Sequence, residues 1–315
     1  MARGKKLVKK YQLAFFVLLA LAAVSGVVVF FLDNNIAVLN PQGSIAQKQF
    51  DLIVFTSLLS LIVVIPVFVL TFYIVWKYRE GGKQKKKAVY SPDWDGNRLL
   101  ETVWWLIPLI LISILGVIIW NSSHRLDPFR PIAADKEPLT VQVIALEWKW
   151  LFIYPEQDIA TVNYLQFPQN TPINFRITGD APMNSFWIPQ LGGQVYAMAG
   201  MQTELHLMAD KPGTYKGSSA NISGQGFAGM TFTARSTSAA DFDQWVRSVK
   251  MSPQVLRMAE YDKLAKPSKD NPIAYYSSRD KDLYDTVIMK YMTPGMLRDE
   301  GEHDAPSHAH ETGHH

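Results

Sequence analysis

The sequence predicts a membrane α-helical part, then an all-β domain, then a short helical tail. Three observations carry this. Residues 12–32, 52–76 and 103–120 are apolar runs free of charged residues, each near the roughly 20 residues that cross a bilayer as a helix. From residue 139 onward, short stretches of period-two alternation replace them, punctuated by Pro, Gly and Asn, the pattern of half-buried strands. After residue 236 the apolar spacing becomes helical.

The chain has 315 residues, room for a membrane part and one globular domain. A net charge of +3 gives no electrostatic reason for a nucleic-acid partner. The absence of cysteine excludes disulfides, thiolate metal centres and a lipidated N-terminal cysteine.

Taken in order, residues 1–11 carry Arg3, Lys5, Lys6, Lys9 and Lys10 and no acid. The run at 12–32 is longer than the apolar core of a secretory signal, about 7–15 residues, which favours a retained anchor helix. The small-residue patch Ala22–Gly26 keeps a cleaved signal open. The second run, 52–76, contains Pro66, which membrane helices tolerate. The linker 77–98 holds Lys77, Arg79, Lys83, Lys85, Lys86, Lys87 and Arg98, whereas the loop 33–50 holds only Lys48. Short basic loops stay cytoplasmic, so the N-terminus and linker are expected inside and the loop 33–50 outside. The third run, 103–120, has Trp104, Trp105 and Trp120 at its ends, where indoles favour the interface. It returns the chain to the outer side. Strands are expected at 139–144, 150–154, 173–178, 185–188, 203–208 and 230–234, forming a Greek-key sandwich or barrel. Helices are expected from 239, over 252–264 and over 282–292. The resulting units are 1–32, a basic N-terminus with a signal or anchor helix; 33–121, a transmembrane hairpin; 122–236, the β domain; 237–299, a helical region; and 300–315, a disordered acidic and His-rich tail.

The stretch 213–230 reads GTYKGSSANISGQGFAGM. It resembles the copper loop of subunit II of haem–copper oxidases, G-x-C-S-x-x-C-G-x-x-H-x-x-M. On that outline the cysteines fall on Ser219 and Ser223, the histidine on Phe227, and the methionine is kept as Met230. The family's upstream His-Ser pair becomes Asn184-Ser185 within MNSFWIPQLGG. The start of the third span, from Asn97 through Glu101 and Trp104 to Pro108, matches the family's N-x-x-x-E-x-x-W-x-x-x-P pattern. YAMAGMQTELHL (196–207) and the aromatic segment EWKWLFIYP (147–155) also resemble family segments. The chain is similar to the branch formed by cytochrome bo-type ubiquinol oxidases, which lacks the copper-A site. The resemblance implies a cupredoxin fold for the β domain and the extra helical tail.

A copper-A centre needs thiolates, imidazoles and a thioether. Serine hydroxyls are hard and neutral, and phenyl cannot coordinate, so Asn184, Ser219, Ser223, Phe227 and Met230 are expected to be vestigial positions that bind no metal. Met183, Met198, Met201, Met208 and Met230 invite a copper(I) reading, but methionine more often fills core gaps. His206 alternates with Leu205 and Leu207 and reads as structural or exposed. The tail histidines His303, His308, His310, His314 and His315 have no framework to fix a site. Trp148 and Trp150 are expected to contact the large subunit. Glu101 either favours the helix start or, as the resemblance implies, helps load protons from the cytoplasm.

The resemblance implies subunit II of a proton-pumping ubiquinol oxidase in a bacterial inner membrane, with its large domain periplasmic. It implies no catalytic residue and no bound cofactor in this chain, haems and copper-B in subunit I, and ubiquinol as substrate. Partners would be subunit I, other subunits and lipid, without cytochrome c. The alternative is a membrane-anchored cupredoxin-like binding or assembly protein independent of an oxidase. Ser219 and Ser223 are expected to hydrogen-bond, with Phe227 filling the space a metal would take.

Overall fold

The computed structural model describes residues 25–26, 36–78, 96–134 and 136–292. The first apolar run (apart from residues 25–26, which are helical), most of the basic linker and the His-rich tail lie outside them. Two long helices come first, α1 (Ser44–Tyr78) and α2 (Arg98–Arg125). Pro66 and Pro108 sit inside them without ending them. Both helices are long and apolar enough to cross a membrane, and no residue of either apolar window is buried. Asn97 caps α2, its Oδ1 accepting the N–H groups of Leu99 (3.0 Å) and Leu100 (3.3 Å).

Eleven strands follow: β1 (Leu139–Leu146), β2 (Lys149–Tyr154), β3 (Ile159–Val162), β4 (Tyr164–Pro168), β5 (Ile173–Gly179), β6 (Asn184–Trp187), β7 (Val195–Ala197), β8 (Thr203–Leu207), β9 (Gly213–Ser219), β10 (Thr231–Thr237) and β11 (Ala274–Tyr276). They form two sheets, ordered β11-β3-β2-β1-β5-β8 and β4-β10-β9-β6-β7. β1 runs parallel to β5, and β4 parallel to β10. All six expected strands exist. β3, β4, β7 and β11 were not expected as strands, and β9 takes up the first part of the stretch 213–230.

The sandwich interior is aromatic. Phe186 and Phe232 stack at 5.2 Å, and Trp150 meets Phe186 edge-on at 5.4 Å. The two sheets are stitched by Tyr154 of β2. Its hydroxyl donates to the Gln166 carbonyl of β4 and accepts the Gln166 N–H, both at 2.9 Å.

The C-terminal region is not a separate helical unit. Helices α3 (Ala239–Lys250), α4 (Met258–Leu264) and α5 (Leu283–Met289) wrap the sandwich, and β11 joins its larger sheet. The helix expected over 252–264 starts only at Met258, after Pro253. Leu256, Tyr261, Tyr276, Leu283, Tyr284 and Val287 cover the outer face of β1–β3, burying Ile144, Leu146, Leu151 and Ile153. β2 is therefore buried on both faces, and alternation fails there. A short sheet with both faces covered reads as a continuous apolar run.

Both long helices are tied to the sandwich at one end. The Ala46 N–H of α1 donates to the Leu191 carbonyl (3.1 Å), and the Gln42 N–H to the Gln190 carbonyl (2.8 Å). Gly43 is required here, because a Cβ would lie 2.4 Å from the Met208 carbonyl oxygen. Beyond α2, the Pro128 carbonyl accepts the backbone N–H of His206 at 3.1 Å, with His206 Nδ1 also 3.1 Å away. His206 is thus buried and structural.

Candidate functional site

The vestigial positions form two groups rather than one pocket. Asn184 begins β6 and Ser219 ends β9, and the pairing of those strands brings them together. Ser219 Oγ lies 3.0 Å from Asn184 Oδ1 and 3.1 Å from the Asn221 carbonyl, and accepts the Ser185 N–H at 3.3 Å. Asn184 Nδ2 donates to the Pro182 carbonyl at 2.7 Å. Met230 is fully buried in the aromatic core, and its carbonyl accepts the Ser219 N–H at 3.2 Å. Ser223 and Phe227 lie further along the loop. The Ser223 hydroxyl is buried without a hydrogen-bond partner among the described residues, contrary to the expectation that it would be paired. Phe227 opens a 3-10 turn, Phe227–Gly229, and stays half-buried, so it does not fill the core. Met230 belongs to the same buried cluster as Phe186, Phe232 and Trp150.

Trp148 and Trp150 have different fates. Glu147 and Trp148 make the two-residue turn between β1 and β2, so Trp148 adopts φ 61°, uncommon for a bulky residue. Its indole N–H donates to the Ser223 carbonyl at 3.1 Å. Its ring lies against Gly226, where a Cβ would approach within 2.2 Å. The Lys269 ammonium stands 5.6 Å from its centre. Trp150 is 0 % exposed within the sandwich. It has no surface to offer a large subunit, so of the two only half-buried Trp148 keeps that option.

The charged groups that sequence reasoning missed lie where the C-terminal segment packs on the sandwich. Lys149 is buried among the C-terminal residues, its Nζ donating to the Leu264 and Lys266 carbonyls (2.8 Å each) and to Ser268 Oγ (2.5 Å). Burial pushes its pKa down, with Glu147 pulling the other way. Asp180, at the end of β5, receives the Tyr261 hydroxyl on Oδ2 (2.7 Å), and on Oδ1 the Lys290 ammonium (2.8 Å) and the Tyr291 hydroxyl. Burial alone would raise the Asp180 carboxyl, but the bonds from Lys290, Tyr291 and Tyr261 outweigh it and hold it below its ordinary value. Burial, then the bond to Asp180, pushes the Tyr261 hydroxyl up. No sequence signal announced this cluster, because its members come from segments far apart in the chain.

Glu101 lies in the first turn of α2, exposed, with its N–H bonded to the Asn97 carbonyl at 2.9 Å. Asn97 already supplies the side-chain cap, so the helix start does not require the Glu101 carboxylate.

The donor set does not fit copper-A. Asn184 and Ser219 are committed to neutral hydrogen bonds, Met230 points into an apolar core, and Ser223 and Phe227 offer a hydroxyl and a hydrocarbon. Soft copper ions bridged by thiolates find no equivalent here.

A pair of long helices tied to a cupredoxin-like β-sandwich points to the class: the second subunits of haem–copper oxidases. Residues 156–237 match the family described as cytochrome C oxidase subunit II, periplasmic domain, and residues 250–295 match the COX aromatic rich motif. The cytochrome bo(3) ubiquinol oxidase subunit 2 of Pseudomonas putida is 50% identical over 270 residues, 86% of this chain and 84% of its own length. The protein of the same name from Pseudomonas aeruginosa is 48% identical over 283 residues, covering 89% and 85%. The ubiquinol oxidase subunit 2 of Acetobacter aceti is 46% identical over 264 residues, covering 83% and 84%. The chain belongs to the ubiquinol oxidase subunit 2 family of the haem–copper oxidases.

Proposed function

We propose that the chain is the second subunit of a proton-pumping terminal ubiquinol oxidase, which oxidises ubiquinol and reduces oxygen to water. It spans the inner membrane through α1 and α2 and carries the sandwich on the periplasmic side. The haems and copper-B belong to subunit I, on which the sandwich docks. The observation that carries this reading is the 50% identity over 86% of the chain to a subunit of that name. The unsuitable donor set agrees with it, since electrons cannot pass through this chain from cytochrome c, and quinol remains as donor. Purification of the full chain from its native membrane in mild detergent tests the reading. A haem-bearing partner should accompany it and oxidise ubiquinol; a chain that arrives without haem would overturn the assignment.

Two residues carry finer roles. Glu101, exposed at the cytoplasmic end of α2 and not needed as a cap, helps to load protons into subunit I. Glu101→Ala should slow turnover and proton uptake about tenfold, the factor given by roughly 1.4 kcal/mol on the barrier. Stopped-flow oxygen reduction with a pH dye reads both, and unchanged rates would remove this role. Trp148 contributes contact area to subunit I beside the vestigial loop.

A further inference from the structure

A cavity of about 550 Å³ opens where the outer ends of α1 and α2 meet the sandwich. Its cations are Lys48 of α1, Arg125 at the end of α2, and Arg130 just beyond. All three are exposed, and none forms an ion pair among the described residues. Arg130 makes one long bond, 3.4 Å, to the His124 carbonyl. The acid in the wall is Asp127, whose Oδ1 accepts the Phe129 N–H at 3.0 Å. The cavity therefore keeps a positive balance. The rest of the lining includes Ile45, Ile132, Leu205 and Met208, an apolar wall beside a cationic rim.

Depth identifies the occupant. Trp120 is exposed on α2 and marks the membrane interface. Arg125 lies five residues further along, about 7.5 Å at 1.5 Å per residue. The headgroup layer on each side of the hydrocarbon is of that thickness, roughly 5–8 Å. The three cations thus stand at the level of lipid phosphates, over apolar side chains suited to glycerol and the first acyl carbons. We propose that this cavity binds the phosphate headgroup of an anionic phospholipid of the outer leaflet, seating the sandwich against the bilayer. The inference rests on the reading that α1 and α2 span the membrane with the sandwich outside.

The test uses the assembled complex with full-length chain. Native mass spectrometry counts lipid retained after exchange into micelles containing phosphatidylglycerol or phosphatidylcholine. Phosphatidylglycerol should be held preferentially. Its apparent affinity should fall roughly fivefold for each charge removed in K48Q, R125Q and R130Q, as expected for cations at an anionic surface. K250Q, on α3, should leave it unchanged. Equal retention of both lipids, or unaltered retention in the triple variant, would overturn the proposal. So would displacement by millimolar inorganic phosphate, which would mark a soluble-anion site. Loss of the haem-bearing partner from the triple variant with lipid retained would mark a protein interface and also overturn it. Alkaline carbonate extraction separates the underlying reading: a chain that leaves the membrane breaks the spanning assignment, whereas a retained chain with no lipid preference breaks the headgroup site alone.

Discussion

The vestigial loop and the C-terminal flank are both polar clusters on one sandwich, yet they are built oppositely. At the loop, neutral groups pair loosely, and the Ser223 hydroxyl pairs with nothing. At the flank, two buried charges, Lys149 and Asp180, are each met by three partners. At the loop, Ser219 and Asn184 are held by neutral hydrogen bonds. The flank holds its segment with charge-assisted bonds, roughly twice as strong as neutral ones. Trp148 joins the two, with its N–H on the loop and Lys269 of the flank over its ring.

The sharpest way to break this contrast is Lys149→Met, which keeps volume but strands three acceptors. At 1–3 kcal/mol for an unpaired buried group, a loss of about 3 kcal/mol is expected. It should appear as a lower urea midpoint by tryptophan fluorescence and as faster tryptic release of the segment after residue 250. An equal effect from a loop substitution would erase the distinction.

Asp180→Asn comes next, at about 1–2 kcal/mol, since a hydrogen bond to a charged group is weakened but not removed. The pH dependence gives the sign. Asp180 is held below its ordinary value, so its contribution is complete above about pH 4 and is lost as pH falls through the lower folded value. Lys290 is raised, chiefly by its bond to Asp180, so the same pair is also lost as pH climbs above about 10.4 through its folded value. Asp180→Asn should flatten the stability profile at the acid end; a profile identical to that of the unmodified chain would refute the assignment.

The smallest effects separate residues within the loop. Ser219→Ala should cost about 1 kcal/mol, because the Ser185 N–H loses its acceptor. Ser223→Ala should fall within about 0.5 kcal/mol, having no bond to lose. Thermal midpoints of the two variants in detergent would reverse the ranking of these serines if Ser223 cost more.

Much of the architecture was legible because hydropathy alone specifies it. The apolar runs at 52–76 and 103–120 fall inside α1 and α2, and the bounds of each expected strand lie within three residues of an observed one. β3 and β4 escaped notice because Asn163, at φ 56°, divides a single apolar stretch into strands of different sheets. β11 escaped because its three residues are a strand only through pairing with β3, more than a hundred positions earlier. At the site, the pairing of Asn184 with Ser219 was not legible, because it depends on β6 and β9 meeting in one sheet. Nor was the burial of Trp150, since it depends on the facing sheet, whose Phe186 and Phe232 come well over thirty positions later in the chain. Asp180 was invisible for the same reason: Tyr261 and Lys290 are 81 and 110 residues away.

The attachment at Gly43 bears on mechanics. Backbone bonds run from the first turn of α1 directly into the Gln190–Leu191 turn, with no slack linker between, and β8 holds Pro128 beyond α2. Among the described residues the sandwich is thus gripped by backbone bonds at the start of α1 and just beyond α2, so the tilt of α1 dictates the angle at which its far end faces a neighbour.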